Sequence, residues 1–262
     1  MRILFSSEDE FPRQGYGRRE FHGVRLMIRW MGLTLAMLPA VATAQAYQCS
    51  VPDSGMLTVH PDLPNEKEPQ RLLPIGHYTL AISWSPQYCR QPDRAARSRV
   101  QCGGGNRFGF VLHGLWPDGV GKEWPQYCKA TPLLSERTIR ANICSTPSAQ
   151  LLQHEWAKHG TCMAGETPDS YFAKATSLYR KLRYPDMVSL SRQPLSAGKL
   201  ANAIARVNPG MRSDMMKITT DRQGWLDEVW ICMNKRFQYT RCPAHQGGVK
   251  ASARVRVWRG SR

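Results

Sequence analysis

The stretch Gln150-Leu151-Leu152-Gln153-His154-Glu155-Trp156-Ala157-Lys158-His159-Gly160-Thr161-Cys162 holds the densest group of reactive side chains in the chain. Its pattern predicts a helix that ends near Gly160 as a C-cap. At about 100° per residue, His154, Lys158, Glu155 and His159 fall within about 140° of arc, while Trp156 and Ala157 point away. Two imidazoles, an ammonium and a carboxylate on one face are costly as core and seldom needed on an ordinary surface. The pattern therefore points to a functional site rather than to a solvated charged face. Zinc is the obvious rival, because metalloprotease helices carry His at i and i+4 with Glu at i+1. Here position i+4 is Lys158. His159, at i+5, is a poorer second ligand on an α-helix, and a fixed ammonium repels a dication.

A cation beside two histidines suits the cleavage of a phosphodiester: the cation stabilises the charged phosphoryl transition state, one imidazole removes a proton and the other donates one. No side-chain nucleophile is needed when the substrate is RNA, which brings its own 2′-OH. The second histidine is expected in Phe110-Val111-Leu112-His113-Gly114-Leu115-Trp116-Pro117-Asp118, where His113 closes an apolar strand. Gly-Leu-Trp-Pro is read as turning the chain there and offering an indole to a base. Taken singly, His113 and Trp116 would each more often be structural. His22, His60, His77 and His245 stand without a constellation around them.

Outward from these segments, the 262 residues are 42% hydrophobic and 21% charged, as in a globular protein with a sizeable core. The formal charge of +16 favours polyanionic partners, nucleic acid or an anionic membrane. Near the N-terminus, the apolar run Trp30 to Leu38 follows Arg25 and Arg29 and precedes the small residues Ala42-Thr43-Ala44-Gln45-Ala46, which is the pattern of a secretory signal peptide. Residues 1–46 are accordingly read as an N-terminal extension and leader cut after Ala44 or Ala46, with Met27 and Met31 as further candidate starts. The run is too short to span a bilayer, so no membrane attachment is expected after cleavage, and the protein is placed in a periplasm or outside the cell. Arg18-Arg19 lies too far upstream of the run for a twin-arginine signal. All eight cysteines follow the leader, and an even count in an exported chain reads as a disulfide framework whose pairing spacing alone leaves open. The chain has no C-x-x-C pair to suggest a zinc ribbon.

Within 47–262, residues 47–71 read as an extended Pro-rich arm. Strands are expected at 78–84 and 107–113, separated by an Arg- and Gly-rich loop, and amphipathic helices at 171–182 and 200–207, the latter capped by Ser196. A hairpin of 215–220 with 225–233 turns at Asp221-Arg222-Gln223-Gly224, and 253–258, alternating Arg with Val, is a candidate closing strand with one basic face. Mixed order with hairpins implies an α+β fold.

The segments Phe110 to Asp118 and His154 to Cys162 resemble the two active-site segments of the ribonuclease T2 family nearly residue for residue, and Trp84-Ser85-Pro86-Gln87-Tyr88-Cys89 resembles that family's first strand. The resemblance implies a disulfide-bonded single domain with a central antiparallel sheet flanked by helices, and an endoribonuclease acting on single-stranded RNA with low base selectivity through a 2′,3′-cyclic phosphate. It implies no metal or other cofactor, and neither an obligate protein partner nor an oligomer. By the same resemblance His159 is the general base and His113 the general acid. Lys158 and Glu155 stabilise the phosphorane and His154 holds the phosphate, while Trp116 and Asp118 help hold a base, with Trp124 a weaker candidate. It pairs Cys128 with Cys162 and Cys232 with Cys242. Cys89 with Cys102 and Cys49 with Cys144 are what then remain. The Arg-rich insertion and the basic C-terminal segment depart from the family's commoner form. The contrasting reading is an exported basic RNA-binding or toxin-like module that keeps the fold without turnover.

Overall fold

The computed structural model describes residues 46–52, 57–103 and 105–260, so the expected leader lies outside the described residues. Among the described residues, six strands, β1 (Ala46–Gln48), β2 (Ile75–Trp84), β3 (Arg107–Phe108), β4 (Phe110–Gly119), β5 (Met216–Thr220) and β6 (Leu226–Met233), are joined by eight α-helices. These are α1 (Ser85–Cys89), α2 (Pro92–Arg97), α3 (Arg99–Cys102), α4 (Glu136–Asn142), α5 (Ala149–His154), α6 (Pro168–Lys181), α7 (Met187–Ser191) and α8 (Ala197–Val207). The main sheet runs β4-β2-β6-β5, every neighbour antiparallel, and β1 pairs with β3 in a small second ladder. The expected α+β architecture is therefore present. No described helix is long and apolar enough to cross a membrane.

Alternation divides the sheet into a helix-covered face and a face that carries chemistry. Along β2, Tyr78, Leu80, Ile82 and Trp84 belong to the hydrophobic core, whereas Thr79 and Ser83 use their hydroxyls on the other side. Helix α6 packs beneath, its Thr167 cap and Ser170 forming a capping box, and it buries Tyr171, Phe172, Ala175 and Tyr179. Its two buried phenols would be costly without partners. The Tyr171 hydroxyl donates to the Leu115 carbonyl at 3.0 Å and that of Tyr179 to the Phe110 carbonyl at 2.8 Å, which ties α6 to the strand that bears His113. Helix α8 begins at the expected Ser196 cap, and the β5–β6 turn ends on Gly224 at φ +79°.

Three local expectations are corrected. The chain does not turn at Gly-Leu-Trp-Pro: β4 continues through Pro117, opposite Tyr78, to Gly119. A proline is tolerated there because β4 is the outer strand of the sheet. The Arg-rich insertion is not a plain loop but holds α2 and α3. The C-terminal segment makes only isolated bridges, Arg254 with Ser196 and Arg256 with Trp225, and is no strand of the sheet. The disulfides are Cys49–Cys144, Cys89–Cys102, Cys128–Cys162 and Cys232–Cys242, the set that the resemblance and its remainder gave.

Candidate active site

His113 stands on a β-bulge. Ala81 pairs with Gly114 and Ile82 with Leu112, which leaves His113 as the extra residue between them. Bulges re-aim a side chain, and this one sends the imidazole toward β6, the strand beyond β2. There His113 Nδ1 lies 2.5 Å from Glu228 Oε1, a carboxylate also held by Ser83 Oγ at 2.7 Å and, through Oε2, by the Trp230 indole N–H at 2.7 Å. A carboxylate only accepts, so Nδ1 carries a proton and Nε2 is left toward the cavity, 3.4 Å from Glu155 Oε1. Gly114 makes room for that contact, since a Cβ there would sit 1.7 Å from Glu155 Oε2.

The second segment departs from the expected α-helix. Helix α5 stops at His154, residues Glu155–His159 form an i→i+5 turn, and Gly160–Cys162 a short 3-10 turn. Wide turns of this kind are rare and are frequently found at functional sites. Here it gathers residues five apart, and the His154 and His159 ring centroids are 6.2 Å apart. Glu155, Lys158 and His159 are 1%, 8% and 6% exposed, which excludes a solvated charged face. Gly160 is not a left-handed C-cap, since its φ is −61°. It is small because Trp156 and Tyr171 press on it, and a Cβ would lie 2.3 Å from the Trp156 ring. Gly160→Ala is expected to destabilise the fold by about 1–3 kcal/mol through overpacking, visible as a lowered Tm in thermal denaturation; an unchanged Tm would refute this packing role.

The same turn weakens the spacing argument against a metal, because His154, Glu155 and His159 each offer a ligand atom within 4.8 Å of the others. Two of these groups have other commitments: Glu155 Oε2 accepts from the Trp116 indole N–H at 2.9 Å, and His154 Nδ1 lies 2.9 Å from Asp62 Oδ2. The objection from the neighbouring Lys158 ammonium also stands.

Trp116 links the two histidines. Its ring lies edge-on to His113 at 5.1 Å and stacked on His159 at 5.5 Å, so the indole frames the site besides offering surface to a ligand. All the residues expected at the site, including Asp118 and Trp124, line one cavity of about 330 Å³. The Cys128–Cys162 disulfide and a bond from the Tyr127 N–H to the Lys158 carbonyl at 2.8 Å fasten the wide turn to this wall.

Electrostatics separate the two imidazoles. Burial disfavours charge on His113, but the Glu228 carboxylate outweighs it, with Glu155 and Asp227 adding, and the pKa is pushed up to about 9. Glu228 is held down at about 2 in spite of its own burial, chiefly by His113. His159 is buried, pairs with no carboxylate among the described residues, and is pushed well below the ordinary histidine value by burial first and then by His154, Lys158 and His113. At neutral pH His113 is thus charged and His159 neutral. Burial also raises Glu155 above the usual carboxylate range, and its Oε1 and His159 Nδ1 have no hydrogen-bond partner among the described residues.

Several residues here escaped the sequence reading. Glu228 has no local signal beyond an acidic residue inside an apolar strand. From the arm, Glu68 Oε1 accepts from Lys158 Nζ at 2.5 Å, and Asp62, also bound by the Tyr127 hydroxyl at 2.7 Å, supports His154. The arm is therefore part of the site. His77 and His245 do belong to a constellation: His77 Nε2 is 3.3 Å from Asp118 Oδ2, the two rings are 6.4 Å apart, and both line the cavity.

Fold and cavity together define an α+β protein built around a paired-histidine site. A model of the Ribonuclease T2 family matches residues 75–242, the stretch from β2 past β6, and the chain belongs to that family. A probable ribonuclease of Haemophilus influenzae is 32% identical over 180 residues, 64% of this chain and 61% of that protein. A ribonuclease of Aeromonas hydrophila is 32% identical over 170 residues, 62% of this chain and 73% of that protein. Among solved structures, the RNase-related protein from Calystegia sepium superposes with a TM-score of 0.53 at 25% identity over 70% of this chain and 96% of its own.

Proposed function

We propose that this protein is an endoribonuclease that cleaves single-stranded RNA with low base selectivity, by transesterification through a 2′,3′-cyclic phosphate. The observation that carries the reading is the opposite electrostatic displacement of two histidines in one cavity, since a base that starts neutral and an acid that starts protonated are what the reaction needs at one pH. Neutral His159 takes the proton of the 2′-OH, whose oxygen attacks phosphorus. As the bond from phosphorus to O5′ breaks, His113 gives its Nε2 proton to the leaving oxygen. Lys158 and Glu155 stabilise the five-coordinate phosphorane and His154 holds its oxygens. Hydrolysis of the cyclic ester reverses the two roles, and Trp116 and Asp118 hold a base.

We also propose that the enzyme needs no metal, works as a monomer, and is exported to a periplasm or the exterior. Pairing of all eight cysteines supports an oxidising compartment. Strand β1 uses Ala46, so of the two cuts the one after Ala44 leaves the ladder whole; the N-terminal residue of the exported protein tests this. Incubated with single-stranded RNA and excess EDTA, the purified protein is expected to yield fragments with cyclic-phosphate ends at an undiminished rate. Activity lost to chelator and restored by zinc would reinstate the metal at His154, Glu155 and His159. RNA binding with no cleavage under any condition would leave the non-catalytic module.

A further inference from the structure

Beyond the cavity lies a basic cluster that the proposed reaction does not use. Arg90, at the end of α1, lays its guanidinium over two indoles, 4.5 Å from the Trp225 centroid and 4.9 Å from that of Trp258. Arg256 stacks on Trp225 as well, at 3.8 Å, and Arg94 in α2 lies 5.3 Å over Tyr88. Arg90 and Arg256 are exposed. Among the described residues, no ion pair joins any of these three arginines to a carboxylate. One guanidinium suffices to cover an indole face, whereas two on one ring repel each other, a cost that a bound anion removes. Stacking also holds the planar forks in place, which lowers the entropy lost when they grip a phosphate.

The cluster has a definite position relative to the chemistry. The Gln87 amide donates to Asp221 at 2.9 Å, holding α1 against the β5–β6 turn. Trp84 Nε1 donates to the Trp258 carbonyl at 2.6 Å, and the residue before it, Ser83, holds Glu228. The Asp227 carboxylate, raised by burial, feels both Arg94 and His113. The arginines therefore lie off the end of the sheet where β2 finishes and β6 begins, past the Ser83–Glu228 pair that supports His113, while Lys158 and His154 on the other wall are faced by the arm. In the proposed reaction His113 serves the leaving O5′, so the RNA chain on the 3′ side of the cut departs across this surface.

We propose that Arg90, Arg94 and Arg256 form a track for the phosphates of the RNA chain on the 3′ side of the cleaved bond. The direction of the track rests on the ribonuclease reading above. The test compares a dinucleoside phosphate with the same unit extended by four nucleotides on its 3′ side or on its 5′ side, for the wild type and for an Arg90→Gln/Arg256→Gln variant whose Tm is checked. In the wild type the 3′ extension is expected to raise kcat/KM about tenfold or more, and in the variant most of that gain is lost while the gain from a 5′ extension is kept. The dependence of log(kcat/KM) on log[salt] for the 3′-extended substrate should flatten by about 1.4, the value for two phosphate contacts to a single strand. Equal loss on both extensions, or an unchanged 3′ gain, overturns the track. If the wild type cleaves none of the three substrates, the ribonuclease reading itself fails and takes the direction with it.

Discussion

Replacing His159 or His113 by alanine is expected to lower the rate of RNA cleavage by about 10²- to 10⁴-fold, the usual worth of a positioned acid or base, while RNA binding should change little. His159 is suited to the first proton transfer because burial and the neighbouring cations keep it neutral. His113 is suited to the second because Glu228 keeps it charged. In the proposed mechanism the two transfers belong to one transition state, so the double variant should be scarcely slower than either single one. Initial rates on a dinucleoside phosphate, with binding followed on an uncleavable 2′-deoxy oligonucleotide, check both statements. Turnover retained in either single variant would remove that histidine from the mechanism.

Glu228→Gln is expected to move the alkaline limb of the pH profile. The sign follows from the charged form of His113, which is the active acid in the proposed mechanism. With Glu228 present the His113 pKa is pushed up to about 9, so kcat/KM is expected to hold through neutrality and to fall only above that. The amide removes the charge that raised the pKa but leaves the burial that lowers it, so the limb drops to the ordinary histidine range of about 6.5 or below. At about pH 8 the variant should be at least tenfold slower than the wild type, and below about pH 6 the gap should narrow. The acid limb, which the proposed mechanism assigns to His159, should stay where it is. An alkaline limb unmoved in the variant would show that Glu228 merely packs against the ring.

Elements whose reasons are local were legible before any coordinates. The cap at Ser196, the alternation of β2 and the turn residues before Trp225 depend on neighbours a few positions away, and all appear where their patterns put them. His113, Glu155, Lys158, His159, His154, Trp116 and Asp118 could be singled out because the chemistry-bearing residues crowd into two short segments, and the structure brings all of them to one cavity. Local periodicity misled where packing overrode it. The wheel drawn at α-helical spacing missed the wide turn at Glu155–His159, and the turn expected at Pro117 is edge strand.

The chain's own order of residues determined its α+β class and its family and singled out the candidate reactive groups, since those depend on residue type and short-range spacing. Which group starts protonated was decided by folding alone. Glu228 reaches His113 across 115 positions, Asp62 reaches His154 across 92 and Glu68 reaches Lys158 across 90. Strand register, one bulge and a disulfide-pinned arm create those meetings. A pKa responds to charge and solvent within a few ångströms, a distance that has no counterpart along the chain.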